Sequence, residues 1–236
     1  MAIRAAIFDV FGTVVDWRRG IAGAVAPLFD AKGIAHPPEA FADAWRAEYQ
    51  PGMEQVRSGN RGYVALDRLH RENLDRALAA CNLCDAFDST ERDALNQAWG
   101  RLPAWQDSVP GISAIARYCP VAPCSNGSIA LMTRLARFAG LPWDCILGAD
   151  IAEAYKPQPE VYRASTAALG LMPNQVLMVA AHNADLAAAR AVGLRTAFVP
   201  RRREHGSGQS TDLDPTEDWD LVAADITDLA GQIRHR

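Results

Sequence analysis

The sequence predicts an α/β fold, a Rossmann-like parallel sheet core with an all-helical segment inserted after its first strand. Three observations carry this reading. An apolar run at residues 3–8 ends in Asp9 and breaks at once into Val10-Phe11-Gly12-Thr13, and near-continuous apolar runs are what strands buried on both faces require. Beyond residue 100, short apolar runs alternate with stretches whose apolar residues recur at helical spacing, the pattern of βαβ units. Residues 17–102 carry long helical periodicities and no clear strand, so they form a separate helical layer.

The elements follow in chain order. After the strand at 3–8, the helical segment includes runs at 39–49 and 63–79. The Leu102-Pro103 and Val109-Pro110-Gly111 breaks mark the return to the sheet, since proline and glycine punctuate helices. Strands are expected at 120–124, 145–149, 176–180 and 196–199, with amphipathic helices at 129–138, 160–169 and 185–192, so that each strand has its own helix. Residues 201–217 are polar and rich in Gly, Ser, Asp and Pro, which reads as a surface excursion before a last strand at 220–223 and a closing helix. The division is therefore a core of residues 1–16 and 103–236 and a helical cap domain of residues 17–102 that covers the carboxyl edge of the sheet.

Composition narrows the function. With 236 residues, 49% of them hydrophobic, the chain can bury a substantial core. A net charge of −4 and a pI near 5.7 supply no large basic surface for nucleic acid. No segment approaches the roughly 18 apolar residues of a membrane span, and the N-terminal run is too short for a signal peptide. A cytoplasmic protein with a small-molecule partner is expected. Five cysteines, an odd number, argue for free thiols. Cys81 and Cys84 form a CxxC, but zinc would need a second ligand pair; no metal and no cofactor are expected.

Four short motifs carry candidate chemistry. Asp9 ends the first strand, and the Thr13 hydroxyl lies in the same turn, where it can hold the carboxylate rotamer. Ser125-Asn126-Gly127 lies between a strand and a helix, where backbone N–H groups face an anion or where the serine simply caps the helix. Tyr155-Lys156-Pro157 stands where the chain turns into a helix, although a lysine alone is usually solvated. His182, Asn183 and Asp185 follow the strand at 176–180, where Asp185 is equally suited to be a helix cap. All four motifs share one edge of the sheet, beyond the strands' carboxyl ends, where open α/β sheets bind ligands.

These residues, Asp9-x-Phe-Gly-Thr13, Ser125-Asn126-Gly, Lys156-Pro and Asp185, resemble the four motifs of the haloacid dehalogenase superfamily over nearly the whole chain. Phosphatases of that superfamily carry a second acid two residues after the nucleophile and an acid pair in the last motif for Mg²⁺. Here those positions hold Phe11 and Ala181. The departures match the metal-independent 2-haloacid dehalogenase branch, and Asp16-Trp17-Arg18 with Trp45-Arg46-Ala47-Glu48-Tyr49 is similar to the start of its cap. That resemblance implies that Arg46 receives the halide, Ser125 binds the substrate carboxylate, Asn126 lies near the halide, and Lys156 with Tyr162 steadies the nucleophile. Phe11 falls in the substrate pocket. Ala180-Ala181-His182-Asn183 is most similar to a subgroup in which some members defluorinate fluoroacetate. The resemblance also implies a homodimer.

The chemistry is consistent with those residue types. A carboxylate is anionic at neutral pH and can displace a halide from C2 of a 2-haloacid without a base. Placing it beside a substrate carboxylate costs roughly 4 kcal/mol at about 4 Å and an effective dielectric of about 20, which Lys156 and Arg46 would offset. Hydrolysis of the resulting ester needs an oriented water and a base, for which His182, Asn183 and Asp185 are the candidates. Two alternatives are a Mg²⁺-dependent phosphatase of the same fold and a catalytically degenerate binding protein.

Overall fold

The computed structural model describes residues 2–234. Six strands, β1 (Ala5–Phe8), β2 (Val121–Ser125), β3 (Leu147–Gly148), β4 (Val176–Ala180), β5 (Arg195–Phe198) and β6 (Leu221–Val222), form one sheet in the order β3-β2-β1-β4-β5-β6. Every pairing is parallel. β1 is central: Phe8 lies level with Pro123 on one side and Val179 on the other. The strand order reverses there, and at such a switch point a crevice opens beyond the carboxyl ends. Asp9 continues β1 into that crevice, its N–H bonded to the Val179 carbonyl at 2.9 Å.

Both faces of β1 are covered, which explains its unbroken apolar run. Ala6 and Phe8 enter one apolar cluster, Ala5 and Ile7 the other, as the period of two demands. The first cluster runs without interruption into the segment between β1 and β2 through Phe11, Val15, Trp17, Trp45 and Trp99.

That segment holds α1 (Trp17–Lys32), α2 (Pro38–Ala47), α3 (Tyr49–Arg57), α4 (Leu66–Ala80), α5 (Ser89–Asn96) and α6 (Ser108–Ile115). The helix expected at 39–49 is two helices. Pro51 lacks an N–H and its ring would crowd the carbonyl of Ala47, so α2 stops at Ala47 and the chain restarts as α3. Val109-Pro110-Gly111 is not a break but the first turn of α6. Pro110 is tolerated there because first-turn N–H groups have no partner within the helix. Gly111 is needed for close packing, since a Cβ would stand 2.6 Å from the Ile226 backbone.

Beyond β2 come α7 (Ile129–Ala139), the short α8 (Ala149–Ala152), α9 (Pro159–Ala168), α10 (Asn183–Ala191) and α11 (Ile226–Arg234). One expectation fails: β5 is not followed by a helix of its own, but runs through an irregular stretch to β6. That stretch is not wholly superficial, because Arg201 and Glu204 within it are buried. The Arg201 guanidinium donates to the Thr13 carbonyl at 2.8 Å and forms a two-pronged pair with Asp107 at 2.7 and 2.8 Å, tying the stretch to the turn after β1. Among the described residues, no helix is long and apolar enough to cross a membrane, and the five cysteines are unpaired.

The helices of residues 17–102 meet the sheet edge through side chains as well as core. Tyr63 donates to Asp150 at 2.5 Å, Arg57 to the Lys156 carbonyl at 3.1 Å, and Asp67 accepts from Ser128 and, at 2.5 Å, from Arg134.

Candidate active site

Four loops at the carboxyl edge converge on Asp9, which is 7% exposed. Its Oδ2 accepts from the Thr13 hydroxyl at 2.7 Å, and the Thr13 oxygen in turn accepts from the Ala181 N–H at 2.9 Å. Thr13 thereby joins the turn after β1 to the turn after β4. Oδ1 accepts from Lys156 Nζ at 2.9 Å, and Nζ also donates to Asp185 at 2.5 Å. Tyr162 donates to the second oxygen of Asp185 at 2.5 Å. Tyr162 therefore acts on Asp9 at two removes, through Asp185 and Lys156.

On the other side, His182 Nδ1 lies 3.1 Å from Asp9 Oδ2, and its Nε2 lies 2.8 Å from Glu204 Oε2. The remaining Glu204 oxygen accepts from the Trp17 indole N–H at 2.9 Å.

The electrostatics follow from this array. Burial alone would raise the Asp9 pKa, but the Lys156 ammonium and the His182 imidazolium outweigh it and hold the carboxyl below its usual range. Burial works against charge on Lys156 too, yet Asp185 and Asp9 keep it protonated above its ordinary value. Asp9 is thus a carboxylate at any physiological pH, as an unactivated nucleophile must be.

A cavity of about 630 Å³ opens over this array, lined by Asp9, Phe11, Arg46, Tyr49, Asn126, Lys156, His182, Ala184 and Asp185, with Gln50, Glu54, Arg57, Pro157 and Gln158 at its α3 side and the cis Lys156–Pro157 turn. The Arg46 guanidinium stacks 3.9 Å above the Tyr49 ring and 5.2 Å from Trp17. Arg46 lines the cavity, and its buried Nη1 has no hydrogen-bond partner among the described residues, so the guanidinium keeps an unused donor. Phe11, 2% exposed, meets Tyr49, His70 and Trp99 edge to face at centroid distances of 6.4, 6.0 and 5.6 Å. It forms an apolar wall.

The sequence-expected residues do not all reach the cavity. Asn126 lines it, while its amide oxygen accepts from the Lys156 N–H at 2.7 Å. Ser125 is fully buried as the last residue of β2, its hydroxyl accepting from the Gly127 N–H at 3.0 Å, and it does not line the cavity; the helix is capped instead by Ser128. Asn183 is also set apart. Its amide donates to Asp212 and the Asp214 carbonyl and accepts from the Thr216 N–H and the Trp219 indole. With both donors and both lone pairs engaged, Asn183 anchors residues 212–219 and has no bond left for a water. Asp185 is no helix cap: α10 begins after His182, and the Asp185 carboxylate is given to Lys156 and Tyr162.

Glu204 is the residue that sequence reasoning missed. It sits in the polar stretch whose composition reads as a surface excursion, and its signal in the sequence is its position, six residues after β5 on the same sheet edge as Asp9.

Ala181 places a methyl group at the one position of the last motif where a metal-binding acid would stand, and Phe11 places an aromatic ring two residues after Asp9, where a proton-donating acid would stand. Among the described residues, no group of three or more His, Cys, Asp or Glu side chains is placed to hold a metal ion.

Comparison with known proteins gives a consistent result. The family model of haloacid dehalogenase-like hydrolases matches residues 3–193. The crystal structure of a defluorinating L-2-haloacid dehalogenase is 51% identical, covering 98% of this chain and 95% of that one with a TM-score of 0.96. A second L-2-haloacid dehalogenase structure is 42% identical over the full length of both chains, with a TM-score of 0.95. The (S)-2-haloacid dehalogenase 4A of Burkholderia cepacia is 27% identical over 97% of this chain and 99% of its own.

Proposed function

The chain belongs to the haloacid dehalogenase-like hydrolases, and we propose that it is a hydrolytic 2-haloacid dehalogenase in which Asp9 attacks C2 of a short 2-haloacid. The observation that carries this reading is the buried Asp9 carboxylate, held by Lys156 at 2.9 Å and Thr13 at 2.7 Å at the floor of a cavity whose lining also includes Arg46. Two relatives at 51% and 42% identity are L-2-haloacid dehalogenases, which supports the same substrate class here.

The reaction divides into two displacements. An Asp9 oxygen attacks C2, the C–X bond breaks, and the halide leaves with the electron pair. Lys156 offsets the approach of two carboxylates, and Arg46 stabilises the charge that develops on the halide, an interaction of most value in the transition state. Water then adds to the Asp9 carboxyl carbon, releasing the 2-hydroxy acid and restoring the carboxylate. His182 faces that carbon from the Oδ2 side, which suits it as the base. Phe11 offers no proton to a leaving group, unlike the acid a phosphatase would carry there. The helical segment of residues 17–102 acts as the cap, contributing Arg46 and Tyr49 and limiting water. Among the candidate residues, Ser125 and Asn183 keep only supporting roles, shaping the β2 turn and anchoring the 212–219 loop.

A panel of fluoro-, chloro- and bromoacids assayed with and without chelator tests the reading. Halide release that the chelator leaves unchanged is expected; metal-dependent phosphate release without halide release would overturn it. Lysine cannot reproduce the planar stack on Tyr49 while presenting a donor in the same direction, so Arg46→Lys is expected to lower kcat about 100-fold with a smaller change in KM, within the range seen when one transition-state donor is lost. A change confined to KM would remove the leaving-group role. A cytoplasmic location fits five unpaired cysteines. A homodimer completes the proposal, and the mass in solution, against 25.6 kDa for one chain, decides it.

A further inference from the structure

His182 stands between two carboxylates, Asp9 on Nδ1 and Glu204 on Nε2. Glu204 is 2% exposed and is held from three sides. Trp17 donates to one oxygen and His182 faces the other, while its backbone N–H bonds the Arg201 carbonyl at 3.1 Å. Gly12 makes room for it: with φ of +93°, that residue has no Cβ, and one would stand 2.1 Å from Glu204 Oε1. The turn after the nucleophile and the stretch after β5 are thus shaped around one buried acid. A second cavity of about 570 Å³ adjoins this acid, sharing Arg46, Tyr49 and His182 with the first and bounded by the exposed His205, 3.7 Å from Glu204.

We propose that Glu204 is a positioning residue that fixes His182 as the base for hydrolysis of the Asp9 ester, and that alkylation of Asp9 is the event that releases the imidazole to act. The inference rests on the proposed attack by Asp9. Before substrate reacts, both ring nitrogens carry protons, Nδ1–H donating to Asp9 and Nε2–H to Glu204. Burial opposes that charge, but Glu204 and Asp9 together raise the imidazole pKa well above its ordinary value. The other charged groups around the ring are Lys156 and Asp185 beyond Asp9, and Arg46 and Asp43 on the cap side of the cavities.

Alkylation removes the Asp9 charge. The Nδ1 proton then has one carboxylate fewer holding it and passes to water in the first cavity, which Asp9 and His182 both line. Glu204 keeps Nε2–H in place, so the neutral ring exposes its lone pair at Nδ1, on the Asp9 side, as a carboxylate does for a catalytic imidazole. Water adds to the ester carbon and gives a proton to Nδ1. The tetrahedral adduct collapses, the departing alkoxide takes that proton, and the carboxylic acid left on Asp9 returns its own proton to Nδ1. One proton, one halide and one hydroxy acid have then left for each haloacid and water consumed. A base kept protonated until the ester exists cannot activate water prematurely.

Glu204→Gln tests this. The amide would donate to Nε2 and force the proton onto Nδ1, the wrong tautomer for a base there. With chloroacetate, rapid quench should show a burst of about one halide per enzyme at the wild-type rate, then turnover slowed about 100-fold. The intact protein mass should rise by the bound acid. Glu204→Asp should restore part of the turnover, and it replaces the Gln variant if that chain does not fold. Wild-type turnover in Glu204→Gln, or slow turnover with neither burst nor mass increase, would overturn the inference. Absence of halide release from the wild type would instead overturn the dehalogenase reading.

Discussion

Asp9→Asn is expected to lower halide release by about 10⁴-fold or more, roughly 5 kcal/mol of barrier, while the fold persists. The carboxamide has no anionic oxygen to displace a halide. The neighbours nevertheless keep partners, because Lys156 retains Asp185, His182 retains Glu204, and Thr13 still meets the Ala181 N–H. Ion chromatography of released halide, alongside circular dichroism, separates the two parts. Undiminished release would remove Asp9 from the chemistry, whereas loss of the fold would mean that its charge is structural.

Lys156→Met should be the most destabilising single change at the site. It leaves Asp9 and Asp185, both almost wholly buried, without the cation between them, and removing one partner of a buried pair costs about 3–5 kcal/mol. The pH dependence has a definite sign. In the wild type, the depressed Asp9 pKa adds stability that is present above the ordinary value of 3.8 and is lost as pH falls through the folded value. In the variant, two close buried carboxylates hold protons more tightly folded than unfolded, so stability declines as pH rises past that ordinary value. The deficit relative to wild type is therefore largest near pH 7 and shrinks towards about pH 4. Urea midpoints at the two pH values read it directly. A deficit independent of pH would mean that packing, not charge, is what Lys156 supplies.

What the sequence made legible divides along physical lines. Asp9, Lys156, His182 and Asp185 follow apolar runs or stand at helix starts on one sheet edge, and topology alone brings such positions together. The Thr13 hydroxyl was readable because it is local, four residues from its acceptor. Asn183 and Ser125 have the right neighbours in sequence, but their side-chain orientation depends on groups distant in the chain, Trp219 and Asp212 for Asn183. Glu204 illustrates the same limit most clearly. It lies in a stretch with neither strand nor helix periodicity, and it becomes buried only because Arg201 ties that stretch to Asp107 and Thr13, about 90 and 190 residues away. The helix boundaries at Ala47 and Ser108 turned on where within a turn each proline falls, a matter of single positions that periodicity does not resolve.

Formation of an ester at Asp9 is tested most directly by a single turnover in heavy-oxygen water, with enzyme in excess over a 2-haloacid. If Asp9 attacks C2 and water then attacks the Asp9 carboxyl carbon, the first 2-hydroxy acid carries an ordinary oxygen taken from the enzyme, and the heavy isotope appears in the peptide containing Asp9. A first product bearing the heavy oxygen, with Asp9 unlabelled, would mean that water displaces the halide directly and would contradict the nucleophile assignment.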